Sequence, residues 1–373
     1  MRIALIAPPF VCVPPKKYGG TELFIAHLAE GLQKLGNEVV VYTNGESTVD
    51  APIRWMYPKA LWPLQGELDG SLKDLNHTSW AVADASRSCD VVHVNNASGL
   101  VVSRFVDLPF VYTIHHPRTD SLSQFYSYFP RVNYVTISDF QRDRETQLRR
   151  VRTIRHGIDL ARYRLQEKKN DYLAFIGRIA PMKGTHLAIE VARKAGIPLK
   201  IAGEVQPMFR EYYERQIKPQ VDGKFIEYLG EADLQAKNEL LGKARAMLFP
   251  IQWDEPFGLV QIESMACGTP VLAFPGGSVR EVISEGVSGY IGNSVDELAE
   301  LARHLSLPAA AIRNYVEVNF SLDRMVRQYA ELYAELVAGA HAQEVTVNAD
   351  VVSPESAADE AADTDLAPQR AIA

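Results

Sequence analysis

The chain has 373 residues, 47% hydrophobic and 23% charged, an ordinary globular mix and long enough for two cores rather than one. Its three cysteines (Cys12, Cys89, Cys267) make no disulfide framework and fit no zinc spacing, so a cytoplasmic setting is the simplest. Of the formal charge of −7, residues 341–373 carry −6 through seven acids and one base; the −1 left on the body excludes a nucleic-acid footprint.

Met1-Arg2 followed by the apolar run Ile3–Ala7 reads as a buried first strand. The run is too short for a leader peptide and stops at Pro8-Pro9. A Pro/Gly-rich loop leads to a helical pattern from Thr21 to Leu35, with Leu28, Leu32 and Leu35 on one face and Gly36 as the stop signal. Strands are expected at Glu38–Thr43, Asp90–Asn95, Pro109–His115 and Tyr134–Ser138. They lack the alternation of a one-sided sheet, as parallel strands covered on both faces do. The polar run Gln166–Asp171 then breaks the pattern and reads as a linker.

After it the rhythm restarts. Strands are expected at Tyr172–Ile179, Pro198–Ala202, Phe225–Leu229, Ala246–Pro250 and Pro270–Phe274, with helices at His186–Ala195, Asp233–Lys243 and Leu259–Cys267 between them. A closing helix, Asp323–Val337, carries Met325, Tyr329, Leu332 and Leu336 on one face. The Ala/Asp/Glu/Ser-rich composition from His341 onward predicts a disordered acidic tail. The expected division is 1–165 and 166–320 for two Rossmann-like doubly wound α/β domains, 321–340 for a helix returning to the first, and 341–373 for the tail. Two such domains make a cleft, and ligands bind beyond the carboxyl ends of the strands.

Four motifs fall at that edge. Gly19-Gly20-Thr21-Glu22 follows the first strand at the mouth of the first long helix. Paired glycines at a helix N-terminus suit a phosphate, and a flexible loop with Thr21 as N-cap suits them as well. Neither G-x-G-x-x-G nor a Walker motif is present. His115 and His116, before Pro117, end a strand; a cleft imidazole binds a sugar hydroxyl, and a loop histidine held locally explains the pair as well. Gly177-Arg178-Ile179-Ala180-Pro181-Met182-Lys183-Gly184 places two cations five apart across a kinked loop. Both can converge on one anion, against the alternative of a basic solvated loop.

Glu255-Pro256-Phe257-Gly258-Leu259-Val260-Gln261-Ile262-Glu263 is the most informative. Pro256 and Gly258 put Glu255 on the loop and Glu263 inside the helix, ~8 Å along its axis. That separation suits two ends of an extended ligand better than one shared proton. His156-Gly157-Ile158-Asp159, and Gly276-Gly277 with Glu281, are supporting pieces; a simple turn explains the glycines equally well.

These motifs, in this order and on these elements, resemble the retaining glycosyltransferases of family 4, which have the GT-B fold. The Glu255…Glu263 pair resembles the family's E-x7-E motif. The runs around Tyr18-Gly19-Gly20 and Trp253-Asp254-Glu255 most resemble the branch with avilamycin-type transferases and tetrahydrobiopterin glucosyltransferases. The resemblance implies transfer of a hexose, glucose first, from a UDP-linked donor held by the second domain to an acceptor held by the first. It implies that Arg178 and Lys183 neutralise the diphosphate, and that Glu255 with the Phe257, Gly258 and Leu259 amides holds the sugar. Glu263 would hold the ribose. Gly19 and Gly20 would approach the diphosphate, and His115, the better match than His116, would touch the sugar's 6-hydroxyl. His156 departs from the asparagine frequent at that position. No cofactor and no metal are expected. The D-x-D Asp363-Thr364-Asp365 lies in the tail, where no rigid scaffold would hold an ion.

A GT-B nucleotide-sugar epimerase would share the cleft but needs a further acid/base pair, which the sequence does not offer. A non-catalytic nucleotide-sugar binder would not require the complete set Arg178, Lys183, Glu255 and Glu263. The arginines at 142, 144, 149, 150, 152 and 155 raise a weak peripheral membrane contact; the interspersed Asp143 and Glu145 favour a solvated face. No stretch is long enough to span a bilayer.

Overall fold

A computed structural model describes residues 1–16, 19–64 and 66–350, with backbone only for 341–350. Two parallel sheets organise the described residues. The first runs in the order β3-β2-β1-β4-β5-β6-β7. Its strands are β1 Arg2–Ile6, β2 Glu38–Thr43, β3 Ile53–Trp55, β4 Val91–Val94, β5 Phe110–Ile114, β6 Asn133–Thr136 and β7 Val151–Thr153. The second runs β10-β9-β8-β11-β12-β13. These are β8 Leu173–Ile176, β9 Leu199–Ala202, β10 Ile226–Tyr228, β11 Ala246–Phe249, β12 Val271–Ala273 and β13 Gly289–Ile291.

The continuous apolar runs follow from burial on both faces. In β1, Ile3 and Leu5 enter one core and Ala4 and Ile6 the other. In β8, Leu173 and Phe175 face one core and Ala174 and Ile176 its opposite. Strand order reverses between β1 and β4 and again between β8 and β11, which makes two switch points where open α/β sheets bind ligands.

The chain crosses between the sheets twice, side by side. Ile158 N donates to the Phe320 carbonyl at 3.0 Å, and Leu322 N donates to the Ile158 carbonyl at 2.9 Å. The run read as a linker is held against the second unit: Lys169 Nζ donates to the Gly242 and Cys267 carbonyls. The closing helix, Leu322–Asp350, is longer than its apolar pattern predicts. Met325, Tyr329, Leu332 and Tyr333 bury in the core of the first sheet. The tail reading for 351–373, with Asp363 and Asp365, lies outside the described residues. Among them no helix is long and apolar enough to cross a membrane.

Candidate active site

Each motif lands where its strand ends. Gly20 opens the helix Gly20–Lys34, with Gly19 as N-cap and no side-chain cap, so Thr21 is not the cap. Leu28 and Leu32 are buried, whereas Leu35 sits past the helix end and is exposed. On the second unit, the helix Leu259–Ala266 has Gly258 as N-cap, also without a side-chain cap. The two helix starts meet across the cleft: a Cβ built on Gly20 would stand 3.9 Å from Leu259 Cδ1. Helix starts without a side-chain cap from the N-cap residue leave backbone N–H groups and a partial positive charge at the cleft, and at the Gly20 start the Glu22 carboxylate takes its own N–H. Glu22, in the first turn from Gly20, is buried, and desolvation raises its pKa.

Lys183 and Glu255 are brought into direct contact. Lys183 Nζ donates to Glu255 Oε2 at 2.5 Å, and Trp253 Nε1 donates to the same oxygen at 2.8 Å. The ammonium also stands 4.5 Å from the centroid of the Trp253 ring, a cation–π contact. Backbone packing places the pair. Gly184, at φ 74°, lies so close to the Pro250 carbonyl that a Cβ would come within 1.9 Å of its oxygen. Gln252 N donates to the Met182 carbonyl at 2.8 Å, which ties the two loops together.

The Gly276-Gly277 pair serves the same loop. At Gly277, φ 59°, a Cβ would sit 2.2 Å from the Glu255 carbonyl oxygen. Ser278 N donates to that carbonyl at 2.9 Å, and Ser278 Oγ donates to the Phe257 carbonyl at 3.0 Å. The close backbone approach read from these glycines is therefore to the protein's own Glu255–Phe257 segment. Arg178 follows β8 on the loop that carries Lys183 and is half-buried.

Glu263 is 2% exposed. Its Oε1 accepts from Tyr163 Oη at 2.9 Å and from Lys237 Nζ at 3.1 Å, and Oε2 accepts from Lys237 at 3.0 Å. A carboxylate has about four acceptor positions. Three are used, leaving one on Oε2.

Of the two histidines, His115 belongs to the cleft and His116 is exposed, its carbonyl accepting from Gln141 Nε2 at 2.8 Å. Asn95 Nδ2 donates to the Ile6 carbonyl at 3.1 Å, which fixes the amide so that its Oδ1 accepts from His115 Nε2 at 2.9 Å. His115 Nδ1 is thereby assigned as the acceptor nitrogen. Desolvation, helped by His156, His116 and His93, lowers its pKa well below the ordinary value, so the ring is neutral. His156 stacks on it at 5.7 Å and 8°, and meets Phe257 edge-on at 5.3 Å. Burial lowers His156 to about 4.

Glu281 is placed away from the site. It accepts from Asp139 N at 2.8 Å and Phe140 N at 2.5 Å, capping the helix Asp139–Arg144 of the first unit from the second. Four arginines of the run are ion-paired: Arg142 with Asp139 and Asp143, Arg144 with Asp254, Arg152 with Glu335, and Arg155 with Asp139 and Glu281.

Residues 18–162 match the family described as Glycosyltransferase Family 4, and residues 159–307 match Glycosyl transferases group 1. A glycogen synthase of Mycobacterium tuberculosis is 26% identical over 374 residues, covering 84% of this chain and 88% of its own. A D-inositol 3-phosphate glycosyltransferase of Mycolicibacterium paratuberculosis is 26% identical, covering 79% of each. The structure of AviGT4, a glycosyltransferase involved in avilamycin A biosynthesis, is 26% identical with a TM-score of 0.66, covering 91% of this chain and 98% of that one. The last likeness supports the avilamycin-type branch. With paired parallel sheets and both family matches laid end to end along it, the chain belongs to the family 4 glycosyltransferases of GT-B fold.

Proposed function

We propose that this glycosyltransferase is a retaining, metal-independent hexosyltransferase that takes its sugar, glucose first, from a UDP-linked donor. The observation that carries the reading is the meeting of two uncapped helix N-termini, at Gly20 and Leu259. Together they form a cradle for an anion, one wall from each unit. Lys183 and Arg178, on the loop after β8, add two cations, as a diphosphate leaving group requires.

On donor binding Lys183 turns from Glu255 to the phosphates. Glu255 keeps its Trp253 donor and becomes free to accept from the hexose hydroxyls, beside the amides of Phe257, Gly258 and Leu259. His115 Nδ1 accepts from the sugar's 6-hydroxyl. Glu263 has one acceptor position left, so it holds the ribose diol with one hydroxyl on Oε2 and Lys237 beside it. The acceptor enters on the face from which the diphosphate departs. Its oxygen bonds to the anomeric carbon as the carbon–phosphate-oxygen bond breaks, and a departing phosphate oxygen takes its proton. Configuration is retained, and no protein base is needed. Three buried cysteines accord with a cytoplasmic location.

A panel of nucleotide sugars offered with cell-extract acceptors, read by nucleotide release, tests this. UDP release from UDP-glucose that persists in EDTA is expected, with an α-linked product by NMR. An inverted product or strict metal dependence overturns the corresponding part. UDP-glucose incubated alone returns unepimerised; conversion to its epimer would favour an epimerase instead.

A further inference from the structure

The arginines singled out in the sequence are not fully explained by surface pairing. Arg142, Arg152 and Arg155 line a cavity of about 420 Å³ where the two units and the closing helix meet, together with Arg324 from that helix. None of Arg178, Lys183, Glu255 or Glu263 lines it. Two carboxylates, Asp139 and Glu281, face the four guanidiniums in the lining. Outside it, Asp143 pairs with Arg142 and Glu335 with Arg152 at 2.6 Å, the latter an exposed pair. Arg155 is held between these carboxylates, at 2.5 Å from Asp139 and 3.2 Å from Glu281. Arg324 is exposed and makes no ion pair among the described residues. Guanidiniums stay charged at every physiological pH, and their planar forks match phosphate oxygens.

We propose that this cavity is a second ligand site, for a phosphorylated sugar. Arg324 takes the phosphate, and Arg152 joins it by exchanging its solvent-exposed pair with Glu335 for a phosphate oxygen. The volume lies in the range of small-molecule pockets and exceeds the needs of a bare phosphate. Thr153, Asn319 and Gln328 supply hydroxyl and amide partners for a hydroxylated body. Its walls come from both units: Asp139 and Arg155 from the first, Glu281 from the second. A bound molecule therefore fixes their relative position. His156 lines the cavity, stacks on His115 and meets Phe257 edge-on in the candidate active site.

Titration calorimetry of the full chain tests this, with glucose 6-phosphate, inorganic phosphate and glucose as probes, each without and with saturating UDP. Glucose 6-phosphate is expected to bind with Kd below about 1 mM, in the presence of UDP as in its absence, and inorganic phosphate at least about fivefold more weakly. The double variant Arg152→Gln, Arg324→Gln should weaken glucose 6-phosphate at least about tenfold while keeping wild-type melting and UDP affinity. No heat, displacement of the sugar phosphate by UDP, equal affinity for inorganic phosphate, or unchanged affinity in the variant each overturns the proposal. UDP affinity is read in the same series, so failure here is distinct from failure of the donor reading.

Discussion

Lys183 and Glu255 neutralise each other in the ligand-free protein, at 16% and 9% side-chain exposure. Charge removal from one frees the other, with opposite consequences for the two halves of the donor. In Glu255→Gln, Lys183 no longer has to leave a carboxylate, so UDP should bind as tightly as in the wild type or more tightly. Turnover should fall about 100-fold or more, as it does when one transition-state contact is lost. Calorimetry with UDP beside initial rates checks both; weaker UDP binding would contradict the exchange. Glu263→Ala removes the buried shared acceptor of Tyr163 and Lys237 and should cost about 2–4 kcal/mol in urea unfolding, because the buried Tyr163 hydroxyl and the half-buried Lys237 ammonium both lose their partner. The loop positions of Arg178, Lys183 and Glu255 were legible because Pro and Gly around them mark loops at strand ends, and the place of Glu263 inside the following helix because Gly258 marks that helix's start. Lys237 and Tyr163 were not: each reaches Glu263 from a segment with no motif of its own, and only tertiary packing joins them. Asn95 had a signal, a polar residue ending a buried strand, and its partner His115 lies 20 positions away.

At the scale of elements, the loop bearing Glu255 is shaped from behind by Gly277, where positive φ and a carbonyl 2.2 Å from any Cβ both demand glycine. Gly277→Ala should therefore move Glu255, lowering turnover at least tenfold and stability by about 1–3 kcal/mol, measured by rates and urea unfolding. Cross-unit contacts differ in weight. The Arg144–Asp254 pair is 51% exposed on both sides, so Arg144→Ala should change stability by less than about 1 kcal/mol. Glu281, 17% exposed, caps a helix start with two backbone amides and pairs with Arg155, so Glu281→Ala should cost clearly more in the same measurement. The long apolar strands were read to within a few residues because two-sided burial leaves them continuous. β3, β7 and β13 were missed: three-residue edge strands carry too few side chains to show a period. The helix Glu67–Ala85 was missed because Leu68, Leu72 and Leu75 face outward, so its apolar pattern does not report a core.

For the molecule as a whole, buried neutral imidazoles couple folding to acid. Desolvation lowers His77 and His156 to about 4 and His93 to about 3, and together with Arg162 lowers His27 to about 4, all from 6.5. The unfolded chain takes up these protons first. The stability they support is present above pH 6.5 and drains away as pH falls toward 4. Melting temperature should hold on the neutral side and drop steadily through that window; a flat profile from 6.5 to 4 would mean the rings protonate while folded. The two-unit α/β architecture was legible because its repeat is written twice in apolar runs. The arrangement of the site depends on contacts between units, such as Gly20 with Leu259, which no local pattern records. The central claim, a diphosphate gripped between two helix starts by Arg178 and Lys183, is tested most directly by calorimetric titration of UDP-glucose into the wild type and the Arg178→Ala, Lys183→Ala double variant. Saturable binding that weakens at least about 100-fold in the variant is predicted. Absence of binding to the wild type, or equal affinity in both proteins, would contradict it.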